Sequence, residues 1–204
     1  MQTQVKSASL TLGVKDLRDL LTGAVLFTAS EKENIPALNS IALKSEGGLL
    51  KAVATDRYRL IEGWTPAYIA KEGQSHEFNQ IMISEKSVKS ILLSIKDQKT
   101  GNVTLELDDQ NLSVLSENFV NISSLIEATF PPYSHLFDGE PVAIQEIAFN
   151  PSLFADFGKI AGKKGGVIVE FRGPNNAIGI SFNGDLALSG ATWRGLLMPQ
   201  RKAN

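Results

Sequence analysis

The chain has 204 residues, 43% of them hydrophobic, no cysteine and a formal net charge of −2. That length suffices for one large or two small packed domains, and the lack of cysteine excludes disulfides and thiolate metal sites. No apolar run approaches the roughly 18 residues of a membrane span, and Met1 to Lys6 lacks a charged and then apolar secretory pattern, so the expected location is the cytoplasm.

Three stretches repeat one grammar: an apolar strand, an amphipathic helix opened by a polar residue, then further strands. In the first, Ser9 to Leu12 alternates as a strand, and Val14 to about Thr28 carries Leu17, Leu20, Leu21 and Ala24 at helical spacing. Ile41 to Lys44 and Leu50 to Trp64 supply its later strands, with Gly47-Gly48 as a turn between two of them. Within Leu50 to Trp64, Thr55-Asp56 is a second turn, since short polar side chains bond their own backbone, and Tyr58 and Leu60 are presented beside it. In the second stretch, Phe78 to Ile83 reads as a strand and Ser84 as an N-cap. Val88, Ile91, Leu92 and Ile95 make a helical stripe, and Val103 to Leu107, Leu112 to Leu115 and Phe119 to Leu125 return as strands. In the third, Ile144 to Phe149 reads as a strand and Asn150-Pro151 as cap and first turn. Leu153, Phe154, Phe157 and Ile160 form the helix face, and Val167 to Phe171, Ala177 to Phe182, Leu186 to Ser189 and Trp193 to Met198 are closing strands. The expected class is α+β, with antiparallel sheets on one layer and helices on the other. Two units share a core over residues 1–137, residues 138–141 read as a linker, and residues 142–204 form half a domain.

Catalytic chemistry finds no constellation. Gly162 to Gly166 has glycines and lysines but follows a helix and precedes a strand, the reverse of a nucleotide-binding loop, so it reads as a helix stop and turn. Asp108-Asp109 sits between strands as a turn, no nucleophile elbow is present, and His76 and His135 are far apart with no ligand-spaced cluster around them. No catalytic residue, metal or cofactor is assigned. The charge, however, is uneven. In and just after the helices, nine basic residues stand against five acidic ones, a surplus of four, so the remainder carries −6. Such a pattern by itself fits solvated helix faces whose lysines meet the C-terminal dipole.

The segment Leu50-Lys51-Ala52-Val53-Ala54-Thr55-Asp56-Arg57-Tyr58-Arg59-Leu60 is followed in order by Phe130-Pro131-Pro132-Tyr133 and by Leu197-Met198-Pro199-Gln200-Arg201. Together they resemble the bacterial sliding clamps, the DNA polymerase III beta subunit family. The likeness runs from about Val14 to Phe137 over a complete middle domain, and from Val142 onward over half of the last domain, so the chain resembles a reduced relative of phage or other mobile-element type. The resemblance implies a DNA clamp fold and a non-enzymatic processivity factor that encircles double-stranded DNA as a homo-oligomeric ring. Its helices would line the hole, with Lys15, Arg18, Lys86, Lys89, Lys159 and Lys163 toward phosphates, held without base reading. It further implies a hydrophobic pocket that takes linear peptide motifs of a DNA polymerase or clamp loader. Position by position, its walls fall on Leu38, Thr55, Arg57, Tyr58, Arg59, Leu60, Pro131, His135, Leu136, Leu196, Met198, Pro199, Gln200 and Arg201. Leu60, Leu136 and Leu196 also fit an ordinary core, and Pro131, Pro132 and Pro199 fit strand ends. Arg57-Tyr58 is bulkier than the family's small and imidazole pair, Gln200 replaces an apolar residue, and Lys202 to Asn204 extend the usual end. Because a ring of the family has twelve such units, the resemblance implies that four copies of this three-unit chain would close one through pairing of third units, with a dimer that never closes as the competitor. The alternative is a clamp-like peptide-docking protein, a transcription coactivator or host-replisome inhibitor, that does not encircle DNA.

Overall fold

A strand, a helix and three more strands recur along the chain, and the computed structural model describes them over residues 8–70, 75–143 and 146–200. The first unit is β1 (Ala8–Gly13), α1 (Val14–Val25), β2 (Ser40–Glu46), β3 (Leu49–Thr55) and β4 (Arg59–Pro66), with a short β5 (Tyr68–Ile69) trailing it. The second is β6 (Phe78–Ser84), α2 (Glu85–Ser94), β7 (Asn102–Leu107), β8 (Asn111–Ser116) and β9 (Phe119–Ser124). The third has α3 (Pro151–Ala161), β10 (Lys164–Glu170), β11 (Ile178–Asp185) and β12 (Thr192–Leu197). Local chemistry explains the boundaries. The Ser84 hydroxyl accepts the Ser87 amide and opens α2, Asn150 accepts the Ser152 amide ahead of Pro151, and Gly162 at φ 72° stops α3.

The two complete units interlock by exchanging strands. β1 pairs antiparallel with β7 of the second unit, and β6 pairs antiparallel with β2 of the first. One sheet therefore runs β5-β1-β7-β8-β9 and the other β10-β11-β12-β4-β3-β2-β6. Alternation turns Leu10, Leu12, Ile41, Leu43, Ile61, Val103 and Leu105 toward α1 and α2, where they join Leu17, Leu20, Leu21, Val88 and Ile91 in one core. Burying each such side chain contributes about 1.5–3 kcal/mol.

The third unit adds its strands to the first through β12 and β4, paired from Thr192↔Trp64 to Leu197↔Arg59. Trp193 seals this seam. A Cβ on Gly23 would come 2.2 Å from its ring and one on Gly63 2.5 Å, so glycine at both places makes room for the indole. Its Nε1 donates to the Leu188 carbonyl at 2.9 Å. The residues on the two sides of segment 138–141 thus share a seven-stranded sheet.

Two expectations are corrected. Residues 146–149 form no strand beyond an isolated bridge from Ala148 to Gln200, because the sister unit that supplies a neighbour for β1 and β6 has no counterpart here among the described residues; Ile144 lies outside them. Leu186 to Ser189 lies in a turn segment, and its apolar residues Leu186 and Leu188 pack against the core from there, so their alternation does not make a ladder. The apolar face of α3 is in large part covered by its own chain: Phe157 and Ile160 are fully buried, and Phe157 lies 4.8 Å from Phe27, ring to ring.

Candidate functional site

The turn joining β3 to β4 is fixed by its own side chains. Thr55 Oγ1 donates to the Arg59 carbonyl at 2.7 Å, and Asp56 Oδ1 accepts the amides of Tyr58 and Arg59, each at 3.0 Å. Closing the turn this tightly puts Arg57 at φ 78°, a left-handed conformation that is uncommon for a long side chain. Arg57 then pairs with Glu33 across the surface. Tyr58 is left exposed, and its carbonyl accepts the Met198 amide at 2.8 Å, which ties the segment after β12 to the turn.

Alternation decides which neighbours share the outer face. Leu60 and Leu196, opposite each other across β4 and β12, point away from the helices and join Ala42, Val53, Met82 and Phe130 in a second cluster. The segment Phe130-Pro131-Pro132-Tyr133 crosses this cluster, with Phe130 and Tyr133 in an edge contact at 5.8 Å and Phe137 packed beside them. Exposed apolar groups stand around it: Tyr58 at 55% exposure, Leu136 at 41% and Met198 at 41%. Pro131, His135 and Gln200 are exposed and Pro199 is half-buried. The structure thus joins Thr55, Tyr58, Leu60, Leu196 and Met198 by direct pairing, and brings the segment carrying Pro131, His135 and Leu136 onto the same cluster. Leu38 is buried in the loop before β2, its amide bonded to Ile35 and its carbonyl to Ala29. Arg201 lies outside the described residues.

Arg59 goes the other way. Its neighbours on the same face of the ladder, Ile61 and Leu197, belong to the main core, and its guanidinium is buried on the helix side. There Nε donates to Asp56 at 3.0 Å, and one terminal nitrogen reaches the Leu153 carbonyl at 2.9 Å and the Asp156 carboxylate. The other terminal nitrogen donates to the Leu26 carbonyl at 2.9 Å, and the group lies 4.7 Å over the Phe27 ring. Burial alone would raise the Asp156 pKa, but hydrogen bonds from Lys159 and Arg59 and their charges hold it below the usual carboxylate range.

A polar latch beside the apolar cluster was not anticipated from the sequence. The Tyr133 hydroxyl donates to Glu62 at 2.9 Å, Arg194 pairs with the same carboxylate, and the Arg194 guanidinium lies 3.9 Å over the Phe137 ring. Burial first, and the adjacent Glu62 charge second, push the Tyr133 phenol far up. The signal for the latch was the opposition of Glu62 and Arg194 across β4 and β12, which only the register reveals. A cavity of about 400 Å³ opens here, lined by Lys44, Lys51, Glu62, Gln80, Tyr133 and Arg194 among others; of the anticipated groove residues that are described, only Pro131 borders it.

On the helices, Lys15 pairs with Asp19 and also donates to the Ser189 hydroxyl. Lys89 pairs with Glu85 and Lys159 with Asp156. Arg18 donates to the carbonyls of Ile95 and Gln98, closing the C-terminal end of α2 against α1. Lys86 and Lys163 are exposed and make no ion pair within the described residues.

The comparisons with known proteins agree on one family. Its profile, described as the DNA polymerase III beta subunit, central domain, matches residues 11–132. The chain is 26% identical over 152 residues to the beta sliding clamp of Rickettsia felis, covering 73% of this chain and 38% of that protein. It is 27% identical over 133 residues to the beta sliding clamp of Rickettsia bellii, covering 64% and 33% respectively. Among solved structures, the DNA polymerase III beta subunit of Thermotoga maritima superposes with a TM-score of 0.78 at 16% identity, over 100% of this chain and 68% of that one. The sliding clamp of Bartonella birtlesii, solved bound to griselimycin, gives 0.75 at 17% identity over 99% and 68%. The chain therefore spans between 33% and 38% of the length of these curated relatives.

Proposed function

Since the chain belongs to the DNA polymerase III beta subunit family and has the clamp fold, we propose that it is a sliding clamp, a non-enzymatic processivity factor. It docks a DNA polymerase and a clamp loader by short peptides and encircles duplex DNA as a homo-oligomeric ring. In this reading residues 1–137 act as a complete clamp domain, residues 138–141 as a linker and residues 142–204 as a half domain. The observation that carries it is the outer seam of β4 and β12: an apolar floor of Leu60 and Leu196 with Tyr58, Met198 and Leu136 exposed around it. Leucine and phenylalanine anchors of a linear motif would bury apolar area there at about 1.5–3 kcal/mol each before ordering costs. Fluorescence anisotropy with a labelled peptide of that kind tests the docking half, and no measurable binding at high micromolar protein would reject it. The ring half is tested by retention on nicked circular DNA and loss on linearisation.

A second reading, a peptide-docking protein that does not encircle DNA, is favoured by one observation. Of the six cations expected at phosphates, Lys15, Lys89 and Lys159 are held by acidic neighbours and Arg18 by backbone carbonyls. The lysine side chains are 52–63% exposed but their carboxylate partners only 10–17%, so each lysine must leave a largely buried carboxylate before it neutralises a phosphate. Equal release from circular and linear DNA, with peptide binding intact, would establish the second reading over the first.

A further inference from the structure

In each complete unit the strand before the helix is flanked on both sides. One flank is a tail that follows the last strand of the same unit: Thr11 of β1 lies opposite Tyr68, and Met82 of β6 accepts the Ile126 amide at 2.9 Å. The other flank is the first strand after the helix of the sister unit, with Gly13 opposite Asn102 and Ser84 opposite Ser40. The third unit repeats the first half of this arrangement at the same offset, two residues before the helix cap. Ala148 accepts the Gln200 amide at 2.7 Å, as Met82 accepts that of Ile126. Amide and carbonyl of one strand residue point to the same side and those of its neighbours to the opposite side, so Ile147 and Phe149 aim theirs away from Gln200. No strand of the described residues lies there.

The complementary gap is at β10, the terminal strand of the seven-stranded sheet. It carries Lys164 and Glu170 only at its ends, has no proline, and presents Ile168 near its middle with 43% exposure; among the described residues no strand pairs with this edge, and Val142 reaches only Phe171 just past its end. The helix shows the same deficit. Four residues after their caps, Leu17 of α1 and Val88 of α2 are fully buried, whereas Phe154 of α3 is only half-buried. Eight residues after its cap α1 has the buried Leu21, whereas α3 has the exposed Gly158, whose Cβ position faces open space.

We propose that a second copy of this chain supplies the missing neighbour by reciprocal strand exchange. Residues 146–149 of each copy pair antiparallel with β10 of the other, and the two α3 helices face each other as α1 and α2 do. The register follows from the complete units, where the helix cap lies opposite the first residue of the sister strand. It sets Asn150 opposite Lys164, Phe149 opposite Gly165 and Ile147 opposite Val167, which brings inward-facing Ile147 onto inward-facing Val167. The exchange supplies the self-association that the ring rests on, but it is tested without DNA.

Light scattering on the whole chain at micromolar concentrations gives a dimer or a multiple of it; a monomer overturns the exchange. Since the chain has no native cysteine, the double variant Ile147→Cys, Val167→Cys reports the register. On oxidation it forms a disulfide-linked dimer on a non-reducing gel. A dimer by scattering without that link, such as one through the exposed Val120 and Ile122 of β9, overturns it, as does a link within one chain. The variant Ile147→Pro, which removes the donor on the open side and leaves the Ala148 to Gln200 contact, becomes monomeric with an unchanged circular dichroism spectrum. A dimer that slips from circular DNA leaves the exchange standing and removes only the ring.

Discussion

Arg59 makes four hydrogen bonds, to two carboxylates and two main-chain carbonyls that come from three separate segments, the turn at Asp56, the end of α1 at Leu26 and α3. Truncating a buried, fully paired charge leaves its partners uncompensated and typically costs about 3–5 kcal/mol, so Arg59→Ala should lower the denaturation midpoint sharply, as read by urea titration. Asp156 adds a pH dependence with a definite sign. Its folded pKa lies below the ordinary aspartate value of 3.8, so its contribution is fully present above that value and is lost as pH falls through the depressed folded pKa. Asp156→Asn should flatten the acid limb of a stability curve below about pH 4, and an unchanged acid limb would count against the pairing. Met198, exposed and hydrogen-bonded only through its backbone, is the clean probe of the docking surface. Met198→Ala should weaken a bound peptide by about 1–3 kcal/mol with no change in the melting curve. Leu60→Ala would confound binding with folding, because Leu60 is buried in the cluster below. The turn itself was legible from Thr55-Asp56, but the face on which Arg59 would land was not: that required the pairing of Arg59 with Leu197.

At the scale of elements, the helices and most strands followed from periodicity and caps because those signals are local. Ser84 and Asn150 cap α2 and α3 with their own side chains, and both were readable from the sequence. Ser84→Ala should cost about 0.5–2 kcal/mol, measured by chemical denaturation. The misread elements share a cause. Whether 146–149 or Leu186 to Ser189 becomes a strand depends on a neighbour in space, and apolar alternation does not reveal whether one exists. The latch of Glu62, Tyr133 and Arg194 was hidden for the same reason, since its members are far apart in sequence. The seam of β4 and β12 depends on shape more than on polarity. Gly63→Ala would place a methyl inside the space of the Trp193 ring, and such overpacking costs about 1–3 kcal/mol. A thermal melt as high as that of the native chain would contradict the described fit.

For the molecule as a whole, the repeat of three units and the likeness to clamps were visible early, because order and spacing of the motifs survive at low identity. The acidic partners of Lys15, Lys89 and Lys159 lie three or four residues away on the same helix and so were within reach of the spacing, whereas the docking of Arg18 onto the Ile95 and Gln98 carbonyls was not. Such pairing yields a graded expectation for DNA. Lys86 and Lys163 make no ion pair within the described residues, so reversing both should lower affinity and reduce the log-log salt slope by about 0.9 for each phosphate that is no longer neutralised. Reversing Lys15 or Lys89, which must first leave Asp19 or Glu85, should change it less. Salt-titrated binding to a short duplex measures both, and equal slopes for the two sets would argue against an inner wall built from these helices.

The tight seat of Trp193 has a practical outcome. The indole lies where α1 and β4 of the first unit meet β12 of the third, and the chain's other tryptophan, Trp64, is directly opposite Thr192 on the same seam. Any event that separates the third unit from the first would wet both rings further, so intrinsic emission becomes an optical gauge of that seam. A red shift in urea at concentrations below the main unfolding transition would reveal such a separation in real time without a dye.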